Sequence, residues 1–371
     1  MSASAVPLQN SDRVKPTAGS SRRPESATIG RNMTNRSTSS PIIGRYWRGF
    51  SATALLGLVL LAACGPSTES GDRKLSIAVI PMGTTHEYWK SIHAGAVKAS
   101  QELDVEIIWK GPQREDDRSQ QIAVVEDMIS LGVDGIVIAP LDRTGLRKPV
   151  AEAKQAGIPT VVIDSGLEGG EHISFVATNN RKGGVVGAQR LAEILGGRGK
   201  IILMRVLVGA ESSMDREEGF LEEIGKHPEI AILSDNQYGG ATTETAYQVG
   251  ENLLNRFPEV DGVFCPNEST TFGILRALTD AGKAGKVKFV GFDSSEKMIT
   301  ALRERHLYGL VLQNPFLMGQ VGVKTIVDYV RNPGKPPPER IDTGVRMATP
   351  ENMDQPDIMS LLRPPLAEYL E

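Results

Sequence analysis

Residues 74–95 read KLSIAVIPMGTTHEYWKSIHAG. The stretch opens on an unbroken apolar run, Ile77-Ala78-Val79-Ile80, and breaks at Pro81 and Gly83. A polar loop, Thr84-Thr85-His86, leads to an aromatic pair, Tyr88-Trp89. From there Trp89, Ile92, Ala96 and Val97 recur at helical spacing. A buried strand, a polar loop and a helix form the unit from which parallel α/β sheets are built. Ligands of such sheets bind outside the carboxyl ends of the strands. The loop that ends in Tyr88-Trp89 is therefore a candidate binding loop.

The same unit recurs downstream. Strands are predicted at 105–109, 135–139, 159–164 and 173–177, with helices at 120–131 and 144–156 between them. The pattern then restarts. Helices at 183–195, 212–224, 242–256, 271–281 and 315–330 alternate with strands at 200–205, 230–234, 263–265, 287–292 and 307–312. A last short strand is read at Ile341–Arg346. Strands alternating with helices and bounded by Gly and Pro predict α/β architecture with two doubly wound parallel sheets. The first boundary falls near Thr178-Asn179-Asn180, and the chain is expected to cross again near Gln313 and Asp342.

The N-terminal part has another character. Residues 1–44 are rich in Ser, Arg, Asn, Thr and Pro, a composition that cannot bury a core and reads as disordered. Met33 offers a second start, so residues 1–32 are expected to be a misassigned extension. Residues 45–64, RYWRGFSATALLGLVLLAAC, carry Arg45 and Arg48 ahead of an apolar run at 52–63. That run is short of the roughly 20 residues of a membrane span and reads as a secretory leader. Residues 65–73 then form a flexible tether. The only cysteines are Cys64 and Cys265, and Cys265 lies in an apolar strand, so no disulfide framework is expected. Beyond residue 63 the chain holds 33 Lys/Arg against 43 Asp/Glu, a formal charge of -10. An acidic body without a basic run argues against a nucleic-acid partner.

Signatures of common catalysis are missing: there is no phosphate loop, no strand-following G-x-G-x-x-G and no G-x-S-x-G elbow. His86 and His93 lack the spacing of a zinc helix. Neither an enzymatic reaction nor a cofactor or metal is expected. The positive signal is at the strand ends, where Asp164, Asn267, Asp293 and Gln313 follow apolar runs. Their side chains suit hydroxyl groups, and the flat faces of Tyr88 and Trp89 suit the C–H face of a sugar ring. Each also has a plainer reading. Asp164, Asn267 and Asp293 could be helix caps, Tyr88 and Trp89 core residues, Gln313 turn chemistry and His86 a solvated loop residue.

From about Leu75 to Asp354 the chain resembles the sugar-binding proteins of bacterial ABC importers, of the ribose-binding type. Arg216 in the segment Arg216-Glu217-Glu218-Gly219-Phe220 corresponds to an arginine that binds sugar hydroxyls in that family. Tyr88-Trp89, Asp164, Asn267 in VFCPNE, Asp293 in VGFDSS and Gln313 in VLQNP match its other binding positions. His86 stands where the family often has Asn, and Ser165 where an Arg often follows the Asp. An aromatic of the second half falls on Ala241, with Tyr238 near enough to substitute. Leu61-Ala62-Ala63-Cys64 resembles the lipobox of bacterial lipoproteins, whose cysteine is lipidated.

The resemblance implies two lobes joined by a three-strand hinge, of the type I periplasmic binding protein fold. The first lobe is expected at 74–178 plus 314–342 and the second at 179–313 plus 343–371. It further implies a monomer that captures a monosaccharide in the cleft, a ribose-like pentose or a related sugar. The partner is a membrane ABC permease, and the protein sits in the periplasm or at the cell surface, anchored by lipid on Cys64. The alternative use of the same body is sensing, with the sugar presented to a receptor or kinase.

Overall fold

The computed structural model describes residues 73–370. The leader, Cys64 and nearly all of the tether lie outside the described residues. In the first lobe, β1 (Ser76–Ile80), α1 (Glu87–Leu103), β2 (Glu106–Trp109), α2 (Arg118–Leu131) and β3 (Gly135–Ile138) alternate. They are followed by α3 (Arg147–Gln155), β4 (Thr160–Ile163) and β5 (Ser174–Ala177). The second lobe holds α4 (Asn180–Ile194), β6 (Arg198–Arg205), α5 (Glu211–Ile224), β7 (Glu229–Tyr238) and α6 (Thr243–Arg256). It continues through β8 (Gly262–Phe264), α7 (Glu268–Asp280), β9 (Lys288–Phe292), α8 (Glu296–Arg303) and β10 (Gly309–Leu312). The chain then returns as α9 (Pro315–Arg331), β11 (Arg340–Asp342), β12 (Arg346–Ala348) and α10 (Pro356–Leu362).

Both sheets have six strands. Their orders are β11-β5-β4-β3-β1-β2 and β12-β10-β9-β8-β6-β7. All pairings are parallel except β10 with β12. The two orders superimpose strand for strand, so β4 and β9 hold equivalent places, and so do β1 and β6. Strands such as β3 and β4 are buried along their whole length. Helices on both faces account for that, because a parallel sheet covered twice needs near-continuous apolar strands.

The stretch expected as one strand, Ile341–Arg346, is two strands in two different sheets. Arg340–Asp342 pairs with β5 and Arg346–Ala348 with β10. The chain turns between them at Gly344, whose φ of 84° suits glycine. This is one of three crossings. The others are Thr178-Asn179, between β5 and α4, and Gln313-Asn314, between β10 and α9. Thr178 Oγ1 donates to the Gly344 carbonyl at 3.2 Å and lies 3.5 Å from Thr343 Oγ1, which ties two crossings together. The C-terminal tail departs from its expected place in the second lobe. Arg363 pairs with Glu296 on α8, yet the Tyr369 ring lies 5.6 Å from Phe316 at the start of α9.

Two helix pairs fix the geometry of the cleft. α9 crosses into the first lobe and packs on α1; α4 crosses into the second and packs on α5. In each pair a glycine from either helix faces the other backbone. A Cβ on Gly95 would overlap the Phe316 carbonyl, and one on Gly319 the Ile92 carbonyl. Gly184 and Gly219 stand in the same relation to the carbonyls of Arg216 and Arg181. Backbone cannot yield as a side chain can, so overpacking here should cost at least about 1–3 kcal/mol. Gly319→Ala is accordingly expected to lower the urea midpoint by a corresponding amount. Gly334→Ala, which meets nothing within 4 Å, should leave it unchanged. Equal midpoints for the two variants would show that the helices separate freely.

Candidate functional site between the lobes

The strand-end aspartates come from equivalent places in the two lobes. Asp164 follows β4 and Asp293 follows β9, and both adopt the left-handed conformation, with φ of 64° and 66°. Non-glycine residues visit that region rarely, Asp and Asn more than others, and strain of this kind gathers at functional sites. Asp164 and Asp293 are 3% and 7% exposed. Arg216, on α5, is 3% exposed. Its Nε donates to Asn180 Oδ1 at 2.8 Å and its Nη1 to the Pro266 carbonyl at 3.0 Å. Its Nη2 lies 3.8 Å from Asp164 Oδ1, and the guanidinium sits over the Phe292 ring at 4.2 Å.

Tyr88 and Trp89 begin α1. Their rings meet edge to face at 5.0 Å. The Tyr88 hydroxyl donates to Asp164 Oδ1 at 2.6 Å, and the Trp89 Nε1–H to Glu115 Oε1 at 2.6 Å. His86 Nδ1 lies 2.8 Å from the same Glu115 oxygen. Gln313 donates to Asp293 Oδ1 at 2.8 Å and lies 3.4 Å from the Tyr88 hydroxyl. All eight residues singled out between His86 and Gln313 line one space between the lobes. Asn267 keeps its plainer role as well. It caps α7, accepting from Thr270 N at 3.0 Å.

Two contacts across the cleft share a feature. The free amides that begin a helix in one lobe are satisfied by a side chain of the other. Glu268, on α7, accepts the amides of Glu87 and Tyr88 at 3.3 and 3.0 Å. Ser165, after β4, accepts the amide of Ser212 on α5 at 3.1 Å. The Gly166 amide donates in turn to the Glu211 carboxylate.

Sequence reasoning missed Glu115, Glu268 and Asn180. Glu115 lies in a charged loop with no strand end to mark it, and Glu268 was overshadowed by Asn267 beside it. Asn180 stood in the segment read only as a boundary. Tyr238 does not supply the missing aromatic: it is 43% exposed at the end of edge strand β7. Ala241 is buried, and the aromatic contact to Arg216 comes from Phe292 instead. Among the described residues no group of His, Cys, Asp and Glu could hold a metal ion.

Comparison with known proteins matches residues 77–336 to the periplasmic binding protein domain. The ribose import binding protein of Bacillus subtilis is 27% identical over 310 residues, covering 81% of this chain and 99% of its own. The xylitol-binding protein of Mycolicibacterium smegmatis is 28% identical over 260 residues, covering 70% of this chain and 72% of its own. A carbohydrate transporter solute-binding protein from Agrobacterium radiobacter, solved with D-arabinose, is 31% identical with a TM-score of 0.75. The match covers 78% of this chain and 99% of that one.

The buried charges shift one another's protonation. Burial alone would lower the His86 imidazole, but the Glu115 carboxylate prevails and holds it up at about 9. Burial raises the Asp164 carboxyl to about 6 against the pull of Arg216, and the Glu268 carboxyl to about 7 against that of His86. Burial also raises Asp293 and takes the Tyr88 hydroxyl well above its ordinary value. A group with a raised folded-state pKa stabilises fully below its unfolded value and loses that stabilisation as pH rises through the folded one. For His86 this window runs from 6.5 to about 9. His93 and His172, lowered by burial, act below 6.5 and in the opposite sense. The melting temperature should therefore fall between pH 6.5 and 9, and His86→Gln should flatten that limb. An unchanged slope in the variant would refute the assignment to His86.

Proposed function

The chain belongs to the periplasmic binding protein family, of the ribose-binding type, and from that premise we propose that it captures a monosaccharide between its lobes and delivers it to an ABC importer. One observation carries the reading. Two aspartates in the same strained backbone conformation project from equivalent strand ends into one buried space, with an arginine beside them. Carboxylates and a guanidinium make charge-assisted hydrogen bonds, which suit neutral hydroxyl groups. Relatives of this chain are solute-binding proteins rather than enzymes, and their names include ribose, allose and xylitol as ligands.

Asp164, Tyr88, Trp89 and His86 form the first wall of the proposed site. Arg216, Asn267 and Asp293 form the second, and Gln313 stands at a crossing. Ligand bonds to both walls favour the closed arrangement over the open one, and the permease reads that difference. The protein works as a monomer outside the cytoplasmic membrane, carried on a lipid at Cys64.

A panel of pentoses and hexoses is the first test. At about 100 times the dissociation constant a bound sugar should add about 2.7 kcal/mol, visible as a raised melting temperature. Asp293→Asn tolerates the left-handed backbone but removes the charge, so it should abolish most of that gain. No shift with any sugar would refute the reading, and an unaffected variant would misplace the site. For the anchor, Cys64→Ser should move the protein from the membrane fraction to the soluble one. A variant that stays membrane-bound would exclude lipidation there.

A further inference from the structure

Beside the cleft lies a second space. It is a cavity of about 810 Å³, set between the start of α1, the starts of α7 and α8, and the C-terminal tail. The space among the cleft residues themselves is only about 30 Å³ in this arrangement, so a sugar ring enters it only as the lining side chains move apart. Tyr88, Glu268, Asp293 and Gln313 face both spaces. Pockets of roughly 300–1,000 Å³ with mostly apolar walls are the ordinary size for organic ligands.

We propose that the second space receives an apolar substituent of the ligand, so that the substrate class is a glycoside whose sugar ring lies in the cleft and whose aglycone lies under the tail. The inference rests on the sugar-binding reading above. Two observations support it. Apolar groups supply most of the wall, from Phe272, Leu312, Pro315, Leu361, Leu362 and Leu366, alongside charged side chains such as Glu296, Lys297 and Arg363. The cavity is built from both lobes and roofed by the tail. Ser294 Oγ donates to the Leu362 carbonyl at 3.1 Å, Arg363 grips Glu296 through two bonds of 2.7 Å, and Lys98 reaches the Tyr369 hydroxyl at 3.4 Å on the far side.

The partition between the spaces is made across the cleft. Glu268 holds the Glu87 and Tyr88 amides from the opposite lobe. Those bonds part when the lobes part, so a ligand that spans both spaces is laid in place while the cleft is open.

The test compares free sugars with their 4-nitrophenyl glycosides by calorimetry on the purified full-length protein. The glycoside of the preferred sugar is expected to bind at least tenfold tighter. Its binding heat capacity should also be more negative, the mark of buried apolar surface. Leu366→Trp, which narrows the cavity from the tail, should reduce that advantage and leave free-sugar affinity unchanged. Deletion of residues 363–371, which removes the roof, should do the same by another route. A sugar that binds while its glycoside binds no tighter overturns the second compartment and leaves the sugar site standing. An advantage that persists undiminished in both variants also overturns it. No binding of either ligand overturns the sugar reading, and this inference with it.

Discussion

Two helix pairs touch backbone to backbone, and the cleft is placed by that contact. Gly95 with Gly319 joins α1 to α9, and Gly184 with Gly219 joins α5 to α4. In each pair one helix has come over from the other lobe. Such close packing leaves little freedom in how the helices lie, because protein interiors are dense and backbone does not rearrange locally. The consequence is felt at the helix starts. α1 carries Tyr88 and Trp89 to the cleft, and α9 begins directly after Gln313. α5 brings in Arg216, and α4 begins with Asn180, which bonds the Arg216 guanidinium. Four of the elements that reach the site are thus held by two glycine pairs.

With the lobes so built, closure is governed by helix ends rather than by apolar surface. Each lobe presents a helix whose first amides lack partners of their own. His86, at the start of α1, makes no side-chain cap, and neither does Ala210 at the start of α5. Glu268 and Ser165 supply the partners from across the cleft. This gives Ser165 a physical role. It stands where the family often has an arginine, and a short hydroxyl there caps α5. Hydrogen bonds of this kind contribute modestly because water replaces them when the cleft opens. A closed arrangement held this way can reopen, which a binding protein requires.

The fold was legible because parallel strands buried on both faces are apolar without interruption, and Gly and Pro mark their ends. The two-lobe reading followed from the repetition of that grammar. The elements that escaped were short or lay past the regular pattern: α8, α10 and the division of Ile341–Arg346. That division cannot be read from alternation, since a strand of three residues carries almost no period. At the site, side chains that close a strand were legible because strand ends are where α/β ligands bind. Glu115 was not, since its importance lies in meeting His86 and Trp89, and nothing local to 110–117 announces it. Asn180 and Glu268 were visible in sequence but hidden in meaning. Each acts on a residue distant in the chain, Arg216 for one and the start of α1 for the other.

The cleft's own bonds set the terms for any ligand. Asp164 and Asp293, buried, and Glu115 and Glu268, half-buried, are four carboxyls against two cationic side chains, Arg216 and His86. Every one of these carboxyls already has a neutral or charged donor from the protein. A sugar hydroxyl that reaches Asp164 therefore competes with the Tyr88 hydroxyl, and one that reaches Asp293 competes with Gln313. Both competitors are flexible side chains able to donate or accept, so each can turn and bond the ligand instead of the aspartate. Affinity is then the difference between two complete sets of hydrogen bonds rather than the sum of one. Such a difference is small for a hydroxyl in the wrong place, where a displaced donor finds no new partner, and large for one in the right place. The selectivity of this cleft lies in that geometry, because its charges alone do not distinguish one neutral sugar from another.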